Sequence, residues 1–123
     1  MSTEGLTIDI GAAPDGAAKL FSLAGNFDIA TSPSVRAALV AAAERDEHDI
    51  IVDLSQVEFL DSTGLGALIG AHKRAAEHHG SVRLVVREGQ IVRLLRITGL
   101  LDVFDVYPSV AAALCGEGKL AGL

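Results

Sequence analysis

Apolar and polar residues alternate through Leu6, Thr7, Ile8, Asp9 and Ile10. That period of two predicts a half-buried strand, because successive strand side chains face opposite sides. Pro14-Asp15-Gly16 reads as a turn, with proline presetting one dihedral and glycine free to take a positive one. Residues 18–24 predict a second strand, which pairs with the first as a hairpin, and Gly25-Asn26-Phe27-Asp28 reads as a loop. Thr31 or Ser32 then caps a helix with Pro33 in its first positions. Val35, Ala38, Leu39 and Ala42 mark its inner face, and it runs to about Arg45, before a charged turn at residues 46–49.

The apolar run of residues 50–54 predicts a third strand. Leu65, Leu68, Ile69, His72, Ala75 and Ala76 then recur at helical intervals, predicting a helix from near Ser62 to His79 with Gly80 as its cap. Leu68 and Ile69 are expected against the sheet, with Leu65 partly available to a partner. Gly66 and Gly70 share a face and are expected to bring the helix close to the sheet, whereas Gly64 is expected to leave room for an approaching nucleotide. A fourth strand follows at residues 82–86, then a helix carrying Ile91, Leu94, Leu95 and Thr98 and closed by Gly99. Residues 103–107 predict a fifth strand, and Ser109 caps a last helix containing Val110, Ala113 and Leu114.

The order β-β-α-β-α-β-α-β-α defines an α/β domain: a mixed, mostly parallel five-stranded sheet with about four helices packed on it. Residues 6–115 form this single domain. Residues 1–5 are a flexible start and residues 116–123 a tail in which Leu120 and Leu123 are able to dock.

Half of the 123 residues are hydrophobic but only 4% are aromatic, so the core is aliphatic. Cys115 is the single cysteine, which excludes an internal disulfide and a multi-cysteine metal site and fits a reducing compartment. No apolar run reaches membrane-spanning length and no secretory signal pattern opens the chain, so a cytoplasmic location is expected. The net charge is −6, and residues 26–63 account for it with eight carboxylates against two arginines. Residues 64–123 carry seven Lys/Arg and five Asp/Glu with no basic stripe, which argues against a nucleic-acid surface. The acidic middle section suits a basic protein partner.

The candidate chemistry lies in Asp61-Ser62-Thr63-Gly64-Leu65-Gly66, where the third strand's region hands over to a helix. Asp61 suits an N-cap, since its carboxylate accepts from the first free amides, and Ser62 then opens the helix near the surface. A hydroxyl displayed there serves as a phosphate acceptor, a nucleophile or a cap. The glycine that a hydrolase nucleophile elbow carries before its serine is missing here, the sequence places no His/Asp pair, and a dinucleotide fingerprint lacks its third glycine. His48, His72, His78 and His79 contain no i, i+4 pair, so no metal site is expected; nor are catalytic residues or a cofactor.

This loop resembles the phosphorylation loop of STAS domains, specifically bacterial anti-sigma-factor antagonists. Gly25-Asn26-Phe27-Asp28-Ile29-Ala30-Thr31 is similar to the family's loop before its first helix, with Asp28 at the matching aspartate. Asn26 stands where many members carry an acidic residue. Ile97-Thr98-Gly99-Leu100-Leu101-Asp102-Val103-Phe104 and Tyr107-Pro108-Ser109 resemble its C-terminal part. The resemblance implies a partner switch rather than an enzyme. The unphosphorylated form binds an anti-sigma factor, usually also a serine-protein kinase, and so frees a sigma factor. Phosphorylation at Ser62, with Thr63 the alternative acceptor, releases that partner, and a PP2C-type phosphatase restores binding. Asp28, Asp61, Ser62, Thr63, Gly64 and Leu65 are the partner-facing residues so implied. The rival function is a non-switching STAS-like subunit of a signalling scaffold or lipid-transport complex.

Overall fold

Ile50, Val52 and Leu54 belong to one apolar cluster while Ile51 belongs to another, as strand alternation requires of a sheet covered on both faces. The protein is described here from a computed structural model covering residues 2–3, 5–45 and 49–121. Strands β1 (Ser2–Thr3), β2 (Leu6–Ala12), β3 (Lys19–Phe27), β4 (Asp49–Leu60), β5 (Ser81–Val85) and β6 (Asp105–Tyr107) form one sheet in sequence order. The β1–β2 and β2–β3 pairings are antiparallel, and those from β3 through β6 are parallel. Helices α1 (Ser32–Ala43), α2 (Ser62–Glu77), α3 (Gln90–Ile97) and α4 (Val110–Cys115) complete the fold. The main core lies between the sheet and α1, α2 and α3, and a smaller cluster with Ala113 of α4 covers the opposite face.

The expected hairpin, the four helices and the parallel crossovers are all present. The differences are local. Ser2–Thr3 pairs with Leu6 and Thr7 where a flexible start is expected. Gly25, Asn26 and Phe27 continue β3 instead of forming a loop. Leu100–Asp102 forms a 3-10 turn, which delays the last strand to Asp105. Helix α2 stops at Glu77, and His79, not Gly80, takes the left-handed conformation with φ 61°. In the tail, the Leu120 amide donates to the Val106 carbonyl at 2.7 Å, and Lys119 pairs with Asp105 at 2.8 Å. Leu120 packs on the main core. The expected turn over residues 46–48, Met1, Glu4 and the docking of Leu123 lie outside the described residues.

The largest departure is in β4, which runs to Leu60 rather than ending at Leu54. Its register against β3 shifts between Ser22 and Ala24 and again between Gly25 and Asn26. Each shift sets an extra β4 residue against β3, so the buried positions become Leu54, Val57 and Leu60. An interval of three replaces alternation there, and the strand delivers its end directly to Asp61.

Candidate functional site

Asp61 organises the junction between β4 and α2. Its Oδ1 accepts from the amides of Thr63 and Gly64, both at 3.0 Å, and from the Thr63 hydroxyl at 2.5 Å. Oδ2 accepts from the Ile29 amide at 3.2 Å, and the Asp61 amide donates to the Phe27 carbonyl at 3.3 Å. The one residue therefore caps α2 and ties the β3–α1 loop to it. These donors, Thr63 Oγ1 foremost and the Gly64 amide next, hold the carboxyl below its ordinary range.

A depressed folded-state pKa stabilises the protein above the unfolded value and loses that effect as pH falls through the folded one. Wild type should therefore lose denaturant midpoint relative to Asp61→Asn as the pH drops below about 4. Parallel unfolding curves at neutral and acid pH check this, and a constant gap between the two proteins contradicts it.

Asp28 lies at the same end of the sheet. Its Oδ1 accepts from the amides of Ala30 at 3.0 Å and Thr31 at 3.2 Å. Thr31, fully buried, donates its hydroxyl to the Asn26 carbonyl at 2.9 Å and accepts from the Asp28 amide. It therefore precedes α1 without capping it by its side chain, and the Asp28 carbonyl instead receives the Ser32 amide at 2.7 Å. Asp28 thus shapes its own loop and makes no hydrogen bond to Ser62.

Ser62 is exposed as the first residue of α2, and its hydroxyl makes no hydrogen bond to any described residue. Thr63 is half-buried, with its hydroxyl committed to Asp61. Leu65 corrects the expectation: it is only 8% exposed and belongs to the core, so it supports the site from beneath and offers a partner little surface. The glycine roles are also reassigned. A Cβ on Gly64 would lie 2.6 Å from Leu60 Cδ1 and 2.7 Å from the Phe27 carbonyl oxygen, so close packing requires that glycine. A Cβ on Gly66 would meet nothing within 4 Å, and one on Gly70 only the Arg36 side chain. Gly64→Ala should cost about 1–3 kcal/mol, because the Phe27 carbonyl is backbone and held by the Asp61 amide. Denaturant unfolding measures it, and an unchanged midpoint contradicts the packing.

Two exposed apolar residues join the site unforeseen: Ile29 at 73% and Phe59 at 52%. Ile29 is tethered to Asp61, and Phe59 stands opposite Asn26 two residues before it. The adjacent pair Phe59-Leu60 carries a faint signal, since neighbours on a strand face opposite ways. Among the described residues no cluster of three His, Cys, Asp or Glu is placed to hold a metal, and no helix is long and apolar enough to cross a membrane.

The start of α2 thus displays an exposed Ser62 hydroxyl with no hydrogen-bond partner among the described residues. A family model for the STAS domain matches residues 12–113. The chain is 36% identical over 85 residues to the anti-sigma-B factor antagonist of Bacillus subtilis, covering 69% of this chain and 77% of that one. It is 33% identical over 84 residues to the protein of that name from Listeria monocytogenes, covering 68% and 74%. Its fold is similar to the crystal structure of an anti-sigma factor antagonist from Mycobacterium paratuberculosis, with a TM-score of 0.81, 28% identity and coverage of 90% and 92%. The chain belongs to the STAS domain family.

Proposed function

We infer that the protein is an anti-sigma-factor antagonist working as a partner switch. Unphosphorylated, it binds an anti-sigma factor through the start of α2 and the apolar rim of Ile29 and Phe59. Phosphorylated on Ser62 by that partner acting as an ATP-dependent serine kinase, it lets go, and a PP2C-type phosphatase resets it. The protein is substrate and ligand in this cycle and supplies no catalytic group.

The observation that carries this reading is the contrast between the two hydroxyls. Ser62 Oγ is exposed and unbonded, whereas Thr63 Oγ1 is locked to Asp61. A kinase must align the acceptor oxygen with the γ-phosphate, and an unengaged hydroxyl needs no bond broken first. Thr63 then serves the cap and Ser62 the chemistry. A phosphate brings about −1.5 to −2 charges at neutral pH. It arrives beside Asp61, whose depressed pKa keeps it ionised, and within the acidic stretch of residues 26–63. The bare contact surface is lost.

Phosphosite mapping of protein purified from its own cell tests the assignment. Phosphate on Ser62 is expected. Phosphate confined to Thr63 moves the acceptor, and a protein that stays unmodified while bound to its partner under every growth condition favours a non-switching scaffold subunit.

A further inference from the structure

Strand β5 accompanies β4 only as far as Asp53, which stands opposite Val85. From there β4 continues to Leu60 with β3 on one side and, among the described residues, no strand on the other. An edge of this kind presents a row of unpaired N–H and C=O groups. Among the described residues no backbone hydrogen bond links residues 55–60 to residues 86–94 across from them. The space between is a groove in two parts. The first, about 300 Å³, lies between Ser55 and Glu58 on one side and residues 87–91 on the other. The second, about 210 Å³, lies between Phe59 and Leu60 on one side and Ile91 and Leu94 on the other. Glu58, Gln90 and Ile91 line both parts, so the two are continuous.

The walls of this groove select one kind of occupant. Residues 55–60 span about 17 Å at the rise of a strand, room for about five residues of a second one. An added strand lies about 4.8 Å from β4, in the line that β5 leaves at Val85. An open edge pairs with extended backbone and offers a helix nothing to bond. The second part is walled by the exposed Phe59 ring and by Ile91 and Leu94, both half-buried, and so suits an apolar side chain. In the first part Glu58 and Glu88 outnumber Arg87, which favours a basic one. Phe59 is common to this groove and to the rim at the start of α2.

We propose that the groove is a strand-addition site, in which an extended segment of the anti-sigma factor pairs its backbone with the open edge of β4 at residues 55–60. The segment seats an apolar side chain among Phe59, Ile91 and Leu94 and sets a basic one beside Glu58 and Glu88. The inference rests on the anti-sigma factor as partner and adds how it is held. Main-chain hydrogen bonds supply affinity, and the two parts of the groove supply selection. Ser62 lines neither part, so the acceptor hydroxyl stays open to the partner's nucleotide while the segment is held.

The test follows amide hydrogen exchange by NMR in the unmodified, isotope-labelled full chain, alone and with the purified anti-sigma factor. Alternate residues of a strand turn their backbone groups to opposite edges. Strand addition should therefore slow exchange at every second amide of residues 55–60, by about tenfold or more. Burial beneath side chains alone slows adjacent amides alike. Gln90→Trp, at an exposed position lining both parts, fills the groove. It should weaken binding by about tenfold or more, and its thermal midpoint beside that of wild type reports whether it folds. Ser55→Trp is the second blocking variant if it does not. Tight binding with an unchanged or uniform exchange pattern over residues 55–60 overturns the strand-addition site and leaves the antagonist reading intact. So does a folded, blocked variant that binds as wild type. A wild-type chain that fails to bind the anti-sigma factor overturns that reading and this site with it.

Discussion

Ser62→Asp is expected to bind the anti-sigma factor at least about tenfold more weakly than wild type, a loss of about 1.4 kcal/mol. Ser62→Ala is expected to bind as tightly as unmodified wild type and to take no label from radioactive ATP. Alanine keeps the small neutral surface and removes the acceptor oxygen. Aspartate adds one charge, a partial substitute for a phosphate. At a separation of about 6 Å and an effective dielectric near 20, each pair of unit charges interacts by roughly 2.8 kcal/mol. Salt at physiological strength, with a screening length of about 8 Å, reduces that at an exposed site. Isothermal titration of the three proteins against the purified partner reads the outcome. Equal affinities, or undiminished labelling of Ser62→Ala, contradict the role given to Ser62.

Leu68→Ala should destabilise the protein by about 2–5 kcal/mol, the range for truncating a fully buried leucine. Leu68 is completely buried in the main cluster, on the face where α2 meets the sheet. The loss combines the transfer of the removed atoms with the cavity left behind, since close-packed neighbours relax only in part. Chemical denaturation gives the value directly. A midpoint equal to wild type would mean that α2 presents a different face to the core.

The parts of this fold legible in the sequence are those fixed by local periodicity. Alternation through residues 6–10, the helical spacing from Leu65 to Ala75 and the capping preference of Asp61 each depend on neighbours in the chain. The end of β4 was not legible, because two register shifts turn its period of two into a period of three at Leu54, Val57 and Leu60. The same shifts hide the exposure of Phe59. Leu65 is buried in the main cluster, a packing against distant elements that no helical wheel contains. Gly64 answers to the Phe27 carbonyl, 37 positions away, so its reason appears only in three dimensions. The Asp61–Ile29 bond spans 32 positions for the same reason. The resemblance already prefers Ser62 of the hydroxyl pair, and the Thr63–Asp61 hydrogen bond gives the physical contrast between its two members.

In the proposed switch, charge and lost contact surface act together. A swing from about 1:99 to 99:1 occupancy needs roughly 5.5 kcal/mol of differential binding. In the proposed switch a phosphate of nearly two charges beside Asp61 contributes part of that, and contact surface lost at the helix start the rest. The measurement that bears most directly on this is a titration of the anti-sigma factor with the same chain in two states, unmodified and phosphorylated on Ser62. The account predicts tight binding for the first and at least about a hundredfold weaker binding for the second, about 2.7 kcal/mol. Equal dissociation constants for the two states would contradict it.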